Sequence, residues 1–332
     1  MRGRAMILAA DVGGTNTRVA LFDADDVRHA AVEVTVASRA HDSLESILRP
    51  FLTAHASSVD AVGIAAAGPV RDGCCETTNL PWVIDAALLG RDIGTDRVWL
   101  VNDLEATAHG IGSLGPEDFA VLNAGVPHPG GNAAVIAAGT GLGEAGLYWS
   151  GERYQPFASE GGHTSFSPRD ARESDLLAYL RRNWSHVSWE RVLSGPGLLN
   201  LYRFLRDSGG IEEPPWLANA LGAGDPAAVI SEAARQRRVA LCEQTMDLFV
   251  SLYGAEAGNL ALKLLATGGV YVAGGIAPRN IARMTDGTFM RAFVAKGRMG
   301  PLLERIPVRV IINDKTALLG AARVAAERGR LV

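Results

Sequence analysis

Short apolar runs alternate with helical spacings over the first hundred residues of the chain. Five runs have the apolar composition of strands: Met6–Ala10, Thr17–Phe22, Val32–Val36, Ala61–Ala66 and Val98–Val101. Leu44–His55 instead carries its apolar residues at helical spacing. A glycine-rich turn separates the first two strands. The order strand, strand, strand, helix, strand, helix, strand predicts an α/β domain.

A second copy of the opening pattern begins near residue 133. Ile7–Gly14 and Val135–Gly143 each contain an apolar strand, an Ala-Ala pair and a glycine-rich turn, and a second strand follows each turn. Internal self-similarity of this kind indicates a duplicated domain. Chance resemblance between two alanine-rich strands is the alternative.

Helical spacings predominate after the second copy. The longest covers Arg237–Leu265, and we expect Gly254 and Gly258 to break or bend this helix. A closing helix is predicted over Thr316–Glu327, for which Asp314 is the expected N-cap.

Composition and charge exclude several classes of protein. The 332 residues are 48% apolar and 20% charged, as in a globular enzyme of one large or two smaller domains. The net charge is −4 without a basic stripe, so no nucleic-acid partner is expected. No apolar stretch reaches the roughly 20 residues of a membrane span. Three cysteines without metal-type spacing predict reduced thiols and a cytoplasmic location.

Both glycine-rich turns are candidates for phosphate binding. In Asp11–Thr17, glycines let the backbone N–H groups approach a phosphate, and Thr15 and Thr17 add hydroxyl donors. Asp11 is placed to hold Mg²⁺ directly or through water. Gly139–Gly143 offers a second anion cradle without charge. The alternative is two tight hairpins that need glycine for positive φ.

Two common nucleotide motifs are absent from the sequence. It contains no G-x-x-x-x-G-K-[ST], so the chain is not a P-loop enzyme. The three lysines, Lys263, Lys296 and Lys315, all lie far along the chain from these turns. A phosphate site here must therefore use backbone N–H groups, hydroxyls and a metal.

Asn102 and Asp103 follow the apolar strand Val98–Val101. Ligands of open α/β sheets bind at the carboxyl ends of strands, where Asp103 could accept a proton from an attacking hydroxyl. The alternative is an aspartate that caps the following helix. Asn313-Asp314 has the same appearance, and local sequence does not separate the two pairs.

Two further segments carry candidate ligands. Glu160-Gly161-Gly162-His163 is a tight loop whose acid and imidazole can converge on sugar hydroxyls, unless it is a plain surface turn. Glu190 locally resembles an exposed helical acid. The paired glycines Gly274 and Gly275 could admit a flat base against the backbone, or begin a helix.

These motifs occur together in the order seen in bacterial glucokinases. The resemblance to the glucokinase branch of the sugar kinase and actin superfamily runs from about residue 6 to about residue 325. The segments that carry it are Asp11–Asn16, Asn102-Asp103, Gly139–Gly143, Glu160–His163, Glu190–Gly197 and Gly274–Ile276. The combination is specific, although each piece alone is not.

The resemblance implies two ribonuclease-H-like domains, a duplicated actin-like ATPase fold with an inter-domain cleft. A small α/β domain would comprise residues 1–112 and 314–332, and a large α/β domain with helical insertions residues 113–313. Asp103 matches the family's catalytic base. The implied sugar ligands are Asn79, Asn102, Asp103, Glu160, His163 and Glu190. The implied ATP-binding residues are Asp11, Gly13, Gly14, Thr15, Asn16, Gly139, Thr140, Gly141, Gly274 and Gly275, with Asp11 for Mg²⁺.

The expected reaction is ATP-dependent phosphorylation of D-glucose to glucose 6-phosphate, the first step of glycolysis. A kinase for another hexose or amino sugar is the nearest rival, and a sugar-sensing protein without turnover is the rival from another class. A homodimer is expected only because two-fold dimers are the commonest soluble oligomers. A structural zinc and a DNA-binding segment are not expected, because the needed cysteines and N-terminal residues are lacking.

Overall fold

The computed structural model describes residues 5–56 and 58–329. Contacts within the chain divide it into two compact units. Among the described residues, the first unit comprises 5–118 and 313–329, and the second comprises Phe119–Ile312. Residues 1–4 and 330–332, which the sequence analysis assigned to the small domain, lie outside the described residues.

The first unit is built on a sheet with the strand order β3-β2-β1-β4-β8. Strand β1 pairs antiparallel with β2 and parallel with β4, which pairs parallel with β8. Strands β5, β6 and β7 form a small separate sheet. Up to residue 118 the elements are β1 (Met6–Val12), β2 (Asn16–Asp23), β3 (Asp26–Ala37), α1 (Glu45–His55), β4 (Ala61–Ala66), β5 (Val70–Arg71), β6 (Cys74–Glu76), β7 (Val83–Asp85), α2 (Ala86–Ile93), β8 (Val98–Asn102) and α3 (Asp103–Gly110).

The second unit is built on a sheet with the order β12-β11-β10-β13-β14-β9. Its elements are β9 (Phe119–Asn123), β10 (Ala133–Ala138), β11 (Leu142–Trp149), β12 (Tyr154–Ser159), α4 (Ala171–Leu180), α5 (Gly195–Gly209), α6 (Pro215–Ala223), α7 (Pro226–Arg235), α8 (Ala240–Leu264), β13 (Gly269–Ala273), α9 (Ile276–Arg279), α10 (Ile281–Met284), α11 (Thr288–Val294), α12 (Gly300–Glu304) and β14 (Val308–Ile311). The chain then returns to the first unit as α13 (Thr316–Gly329).

The two main sheets share one topology, which confirms the predicted duplication. Strand β10 pairs antiparallel with β11 and parallel with β13, as β1 pairs with β2 and β4. Strand β13 in turn pairs parallel with β14, as β4 does with β8. Both glycine-rich turns therefore connect the first two strands of an equivalent sheet.

Helix α13 covers the sheet of the first unit at very short range. Gly63 on β4 lies against the carbonyl of Ala321, and Gly320 on α13 lies against the carbonyl of Ala106 on α3. A side chain at either glycine would overlap backbone atoms. All six residues of β4 are buried, as expected for a central parallel strand.

Helix α8 runs unbroken from Ala240 to Leu264, so the prediction that Gly254 and Gly258 break it is wrong. Both glycines are buried, and they lie against the carbonyls of Phe289 and Phe293 on α11. They let two helices approach each other. None of the helices in the described part of the chain combines the length and apolar character that a membrane crossing needs.

Candidate active site

The first glycine-rich turn leaves polar groups at the end of β1. Gly13 N–H donates to the carbonyl of Asn16 at 3.1 Å, which closes the turn. The side chains of Thr15 and Asn16 are exposed and available to a ligand. Thr17 is not, because its hydroxyl is fully buried and lies 2.9 Å from the Ser38 hydroxyl. The expectation that Thr17 donates to a phosphate is therefore wrong.

Asp11 is the second-last residue of strand β1, and its pKa is raised. Burial raises the pKa of Asp11 to about 6, with the Asp103 carboxylate acting in the same direction and Arg18 against it. Arg18 lies directly opposite Asp11 in the β1–β2 ladder. The sequence analysis searched for lysines and missed this arginine, which the register of the hairpin would have revealed.

Asp314 does not act as the predicted helix cap. Its carboxylate and its carbonyl both accept hydrogen bonds from the Arg18 guanidinium. The side chain of Asn313 accepts from Lys315 N–H at 2.8 Å at the start of α13 instead. The Asp314 carboxylate also contributes to the raised pKa of Asp11, so it belongs to the charge environment of the first turn.

Asn102 and Asp103 lie at the junction of β8 and α3, and Asn102 has the capping position. Asn102 Oδ1 accepts from Leu104 N–H at 2.9 Å and its Nδ2 donates to the Gly68 carbonyl at 3.0 Å, so Asn102 is the N-cap of α3. Asp103 Oδ1 lies 2.9 Å from the same Leu104 N–H. Burial raises the pKa of Asp103, while hydrogen bonds from Leu104 and Asn102 oppose that shift.

Asn79 lies beside the first turn. A Cβ on Gly14 would come 2.5 Å from the Cβ of Asn79, so the asparagine packs directly on that glycine. Its Nδ2 donates to the Thr78 hydroxyl at 3.2 Å. The first unit thus brings Asn79 to the turn that follows Asp11.

In the second unit, one tyrosine links the ends of the two strands that precede glycine-rich turns. Tyr253 Oη accepts from Ala138 N–H at 2.9 Å and lies 3.2 Å from the carbonyl of Ala273. Ala138 precedes Gly139, and Ala273 precedes Gly274. Gly274 has φ +81° and lies against Ala138, so only glycine fits there.

The Glu160–His163 loop rests on β11. Gly162 lies against the carbonyl of Leu142, and Gly161 lies against the carboxylate of Glu144. A side chain at either glycine would overlap atoms of β11. Above it, the exposed side chains of Glu160 and His163 converge, with Glu160 Oε2 at 3.8 Å from His163 Nε2.

Glu190 is in contact with both this loop and the second glycine-rich turn. It lies in the one-turn 3-10 helix Trp189–Arg191. Its Oε2 accepts from Leu142 N–H at 3.1 Å, and its Oε1 lies 3.9 Å from His163 Nδ1. Within the second unit, the structure thus brings Glu160, His163 and Glu190 together beside Gly139–Gly143.

The first turn offers oxygen atoms that could serve as ligands for the expected Mg²⁺. Among the described residues, no group of three or more His, Cys, Asp or Glu side chains could hold a metal ion. Mg²⁺ is usually held by one or two carboxylates together with substrate phosphates and water, rather than by a protein cage. Asp11, beside exposed Thr15 and Asn16, fits that mode of binding.

Comparisons with known proteins agree with this geometry. The glucokinase of Nostoc punctiforme is 41% identical over 337 residues, covering 97% of this chain and 99% of the relative. That of Cronobacter sakazakii is 37% identical, covering 95% of both chains. The crystal structure of a glucokinase from an Antarctic psychrotroph superposes with a TM-score of 0.85 at 32% identity, covering 98% of this chain and all of that one.

Two α/β units of one topology, each with a glycine-rich turn after its first strand, define a sugar kinase of the actin-like ATPase fold. The profile of the family described as Glucokinase matches residues 8–328. The chain belongs to the glucokinase family. The fold class, the enzyme class and the ATP-dependent phosphorylation of glucose predicted from the sequence are thereby confirmed.

Proposed function

We propose that Asp103 is the catalytic base of this kinase. It removes the proton of the glucose 6-hydroxyl as that oxygen attacks the γ-phosphoryl group of ATP in line. The observation that carries the proposal is the position of Asp103 at the carboxyl end of β8, where burial raises its pKa. A raised pKa brings a carboxylate closer to the pH at which it works as a base.

We propose that the sugar hydroxyls are held by side chains of both units. Asn79 and Asn102 are the ligands from the first unit, and the Asn102 side chain is held in place by its bonds to Leu104 and Gly68. Glu160, His163 and Glu190 are the ligands from the second unit, where they converge. A ROK family glucokinase from Streptomyces griseus, similar at 23% identity and a TM-score of 0.63, was crystallised with glucose and AMPPNP.

The nucleotide is proposed to bind through backbone rather than through lysine. N–H groups of both glycine-rich turns would bind the phosphates, with the Thr15 and Thr140 hydroxyls beside them. The base would lie against Gly274 and Gly275, both of which are exposed. Asp11 would hold Mg²⁺ directly or through water, and the ion, when bound, neutralises phosphate charge.

A cytoplasmic location and a homodimer are also proposed. All three cysteines are free thiols, which suits a reducing compartment. The homodimer rests on the frequency of two-fold dimers alone.

The test of Asp103 is the isosteric variant Asp103→Asn, compared with Asp314→Asn. The first removes the base but keeps the shape, so kcat should fall by about a hundredfold or more while the KM values for glucose and ATP stay within about tenfold. Asp314→Asn makes the same change at a carboxylate of the same unit that is 73% exposed, and kcat should remain near wild type.

A coupled assay of ADP release across a panel of hexoses measures both variants and the sugar preference. Asp103→Asn that kept more than about a tenth of the wild-type kcat would contradict the proposal, because a positioned base contributes about 10²–10⁴-fold. If another hexose were turned over faster than glucose, that hexose would be the preferred substrate.

A further inference from the structure

Glu144 is a buried acid that the proposed chemistry does not use. It follows the second glycine-rich turn on β11, it is 1% exposed, and neither carboxyl oxygen accepts a hydrogen bond from a donor among the described residues. A buried carboxyl group without a partner costs about 1–3 kcal/mol of unfolding free energy, and a charged one costs more. A carboxyl group at this position therefore needs an explanation.

The neighbour that explains it is a second buried acid on α8. Glu256 is fully buried, and its oxygens accept from Lys263 Nζ at 3.1 Å and from Asn259 Nδ2 at 2.7 Å. Each oxygen of Glu256 therefore accepts one of these hydrogen bonds. A proton carried by Glu144 would be donated to Glu256 and would satisfy both groups.

The charged groups that act most strongly on Glu144 lie on α8. Glu256 and Lys263 act on it directly, and Tyr253 lies within its electrostatic reach. Lys296 acts on Glu256 from the far side. The pKa of Glu144 is raised to about 7, first by burial and next by the Glu256 carboxylate.

The loop that binds sugar in the proposed function lies directly on Glu144. The residue pairs with Ser159 across β11 and β12, and Glu160 is the next residue along the chain. The Glu144 carboxyl also supports Gly161, where no Cβ could fit above it. A repulsion between two ionised carboxylates would act on the loop at this contact.

We propose that Glu144 is a positioning residue for the sugar: its protonated carboxyl, bonded to Glu256, supports the Glu160–His163 loop in the form that binds glucose, and loss of that proton weakens glucose binding. This inference rests on the proposed role of Glu160 and His163 as sugar ligands. Glu144 would make the support of the Glu160–His163 loop depend on pH, which the exposed side chains of Glu160 and His163 could not do.

The test compares the glucose KM of wild type, Glu144→Gln and Glu152→Gln from about pH 6 to about pH 8.5. In wild type the KM should rise by up to about tenfold for each pH unit above about 7, because only the protonated fraction binds. Glu144→Gln donates an amide hydrogen at every pH, so that part of the rise should vanish. Glu152→Gln changes an exposed acid at the far end of the same hairpin and should follow wild type.

His163, Glu160 and Glu190 are present in all three proteins, so the difference between profiles isolates Glu144. The ATP KM should change far less than the glucose KM and serves as the check on folding. Glu144→Ala should raise the glucose KM at every pH, and recovery in Glu144→Gln would show that the donated hydrogen matters. If the alanine variant fails to fold, the comparison of Glu144→Gln with wild type still decides.

Identical pH profiles for wild type and Glu144→Gln would overturn the inference. Glu160→Ala separates that result from failure of the proposed function. A raised glucose KM in Glu160→Ala together with identical profiles means that only the role of Glu144 is wrong. An unchanged glucose KM in Glu160→Ala means that the loop is not the sugar site, and both proposals then fail.

Discussion

Glu190 and Leu142 are joined by a hydrogen bond of 3.1 Å from the Leu142 N–H to Glu190 Oε2, although 48 residues separate them. The other oxygen of the same carboxylate faces His163. One side chain thus fixes the second glycine-rich turn and touches the loop proposed to hold the sugar. A change at Glu190 should alter the binding of both substrates.

Glu190→Ala is therefore expected to raise the KM for glucose and the KM for ATP together. Glu160→Ala should raise the glucose KM alone, since the Glu160 carboxylate lies beside His163. Loss of a charged hydrogen-bond partner costs about 1.5–3 kcal/mol, or roughly ten- to a hundredfold in KM. Steady-state kinetics with each substrate varied in turn make the comparison. An effect of Glu190→Ala on glucose alone would mean that its bond to Leu142 is dispensable.

Tyr253→Phe should weaken ATP binding without changing the glucose KM. The lost hydroxyl leaves the buried Ala138 N–H unpaired, which costs about 1–3 kcal/mol of unfolding free energy and loosens the two turns that follow Ala138 and Ala273. The expected rise in the ATP KM is about thirtyfold, taken from the middle of that range.

Tyr202→Phe is the matched control for this prediction. Tyr202 is also fully buried in the second unit, and its hydroxyl donates to Glu213 at 2.7 Å, away from either turn. It should lose a similar amount of unfolding free energy in a denaturant titration and keep the wild-type ATP KM. Equal ATP KM values for both variants would show that Tyr253 serves stability only.

Arg18→Gln should shift the pH dependence of Mg²⁺ activation to higher pH. Asp11 can hold the ion only when ionised, so in wild type Mg²⁺ affinity should fall as the pH drops through about 6, its raised pKa. Arg18 lowers that pKa, and its removal raises it further. The same fall should then begin nearer neutral pH.

Mg²⁺ titrations of activity at several pH values, after removal of metal by EDTA, provide the measurement. Arg49→Gln removes an arginine from an exposed pair with Asp92 in the same unit and should leave the profile in place. If Arg18→Gln moved the acid limb to lower pH, the assignment of Asp11 as the metal ligand would be wrong.

The repeated architecture was predictable because its signals are local. An apolar strand, an Ala-Ala pair and a glycine-rich turn occur twice within short windows, and both windows form the same hairpin. The three short strands Val70–Arg71, Cys74–Glu76 and Val83–Asp85 were missed, because two or three residues carry no periodicity.

The site was predictable only as far as motifs carry it. The position of Arg18 opposite Asp11 depends on strand register, and the bond from Leu142 to Glu190 depends on tertiary packing. Asp103 and Asp314 look alike in sequence, and each follows an asparagine that accepts from the backbone N–H two residues on. They differ in surroundings, since burial raises the pKa of Asp103 whereas Asp314 is exposed and pairs with Arg18. Glycines in α8 looked like breaks because sequence does not reveal the helix that packs on them.

Helix α13 also constrains the order in which the protein can be made. Helix α13 packs on the sheet that carries Asp11, through Gly63 and Ala321, and on helix α3, which begins at Asp103, through Gly320 and Ala106. On the ribosome, the whole second unit is synthesised before α13 exists. The strands of the first unit must wait for this helix, and the second unit is free to fold in the interval.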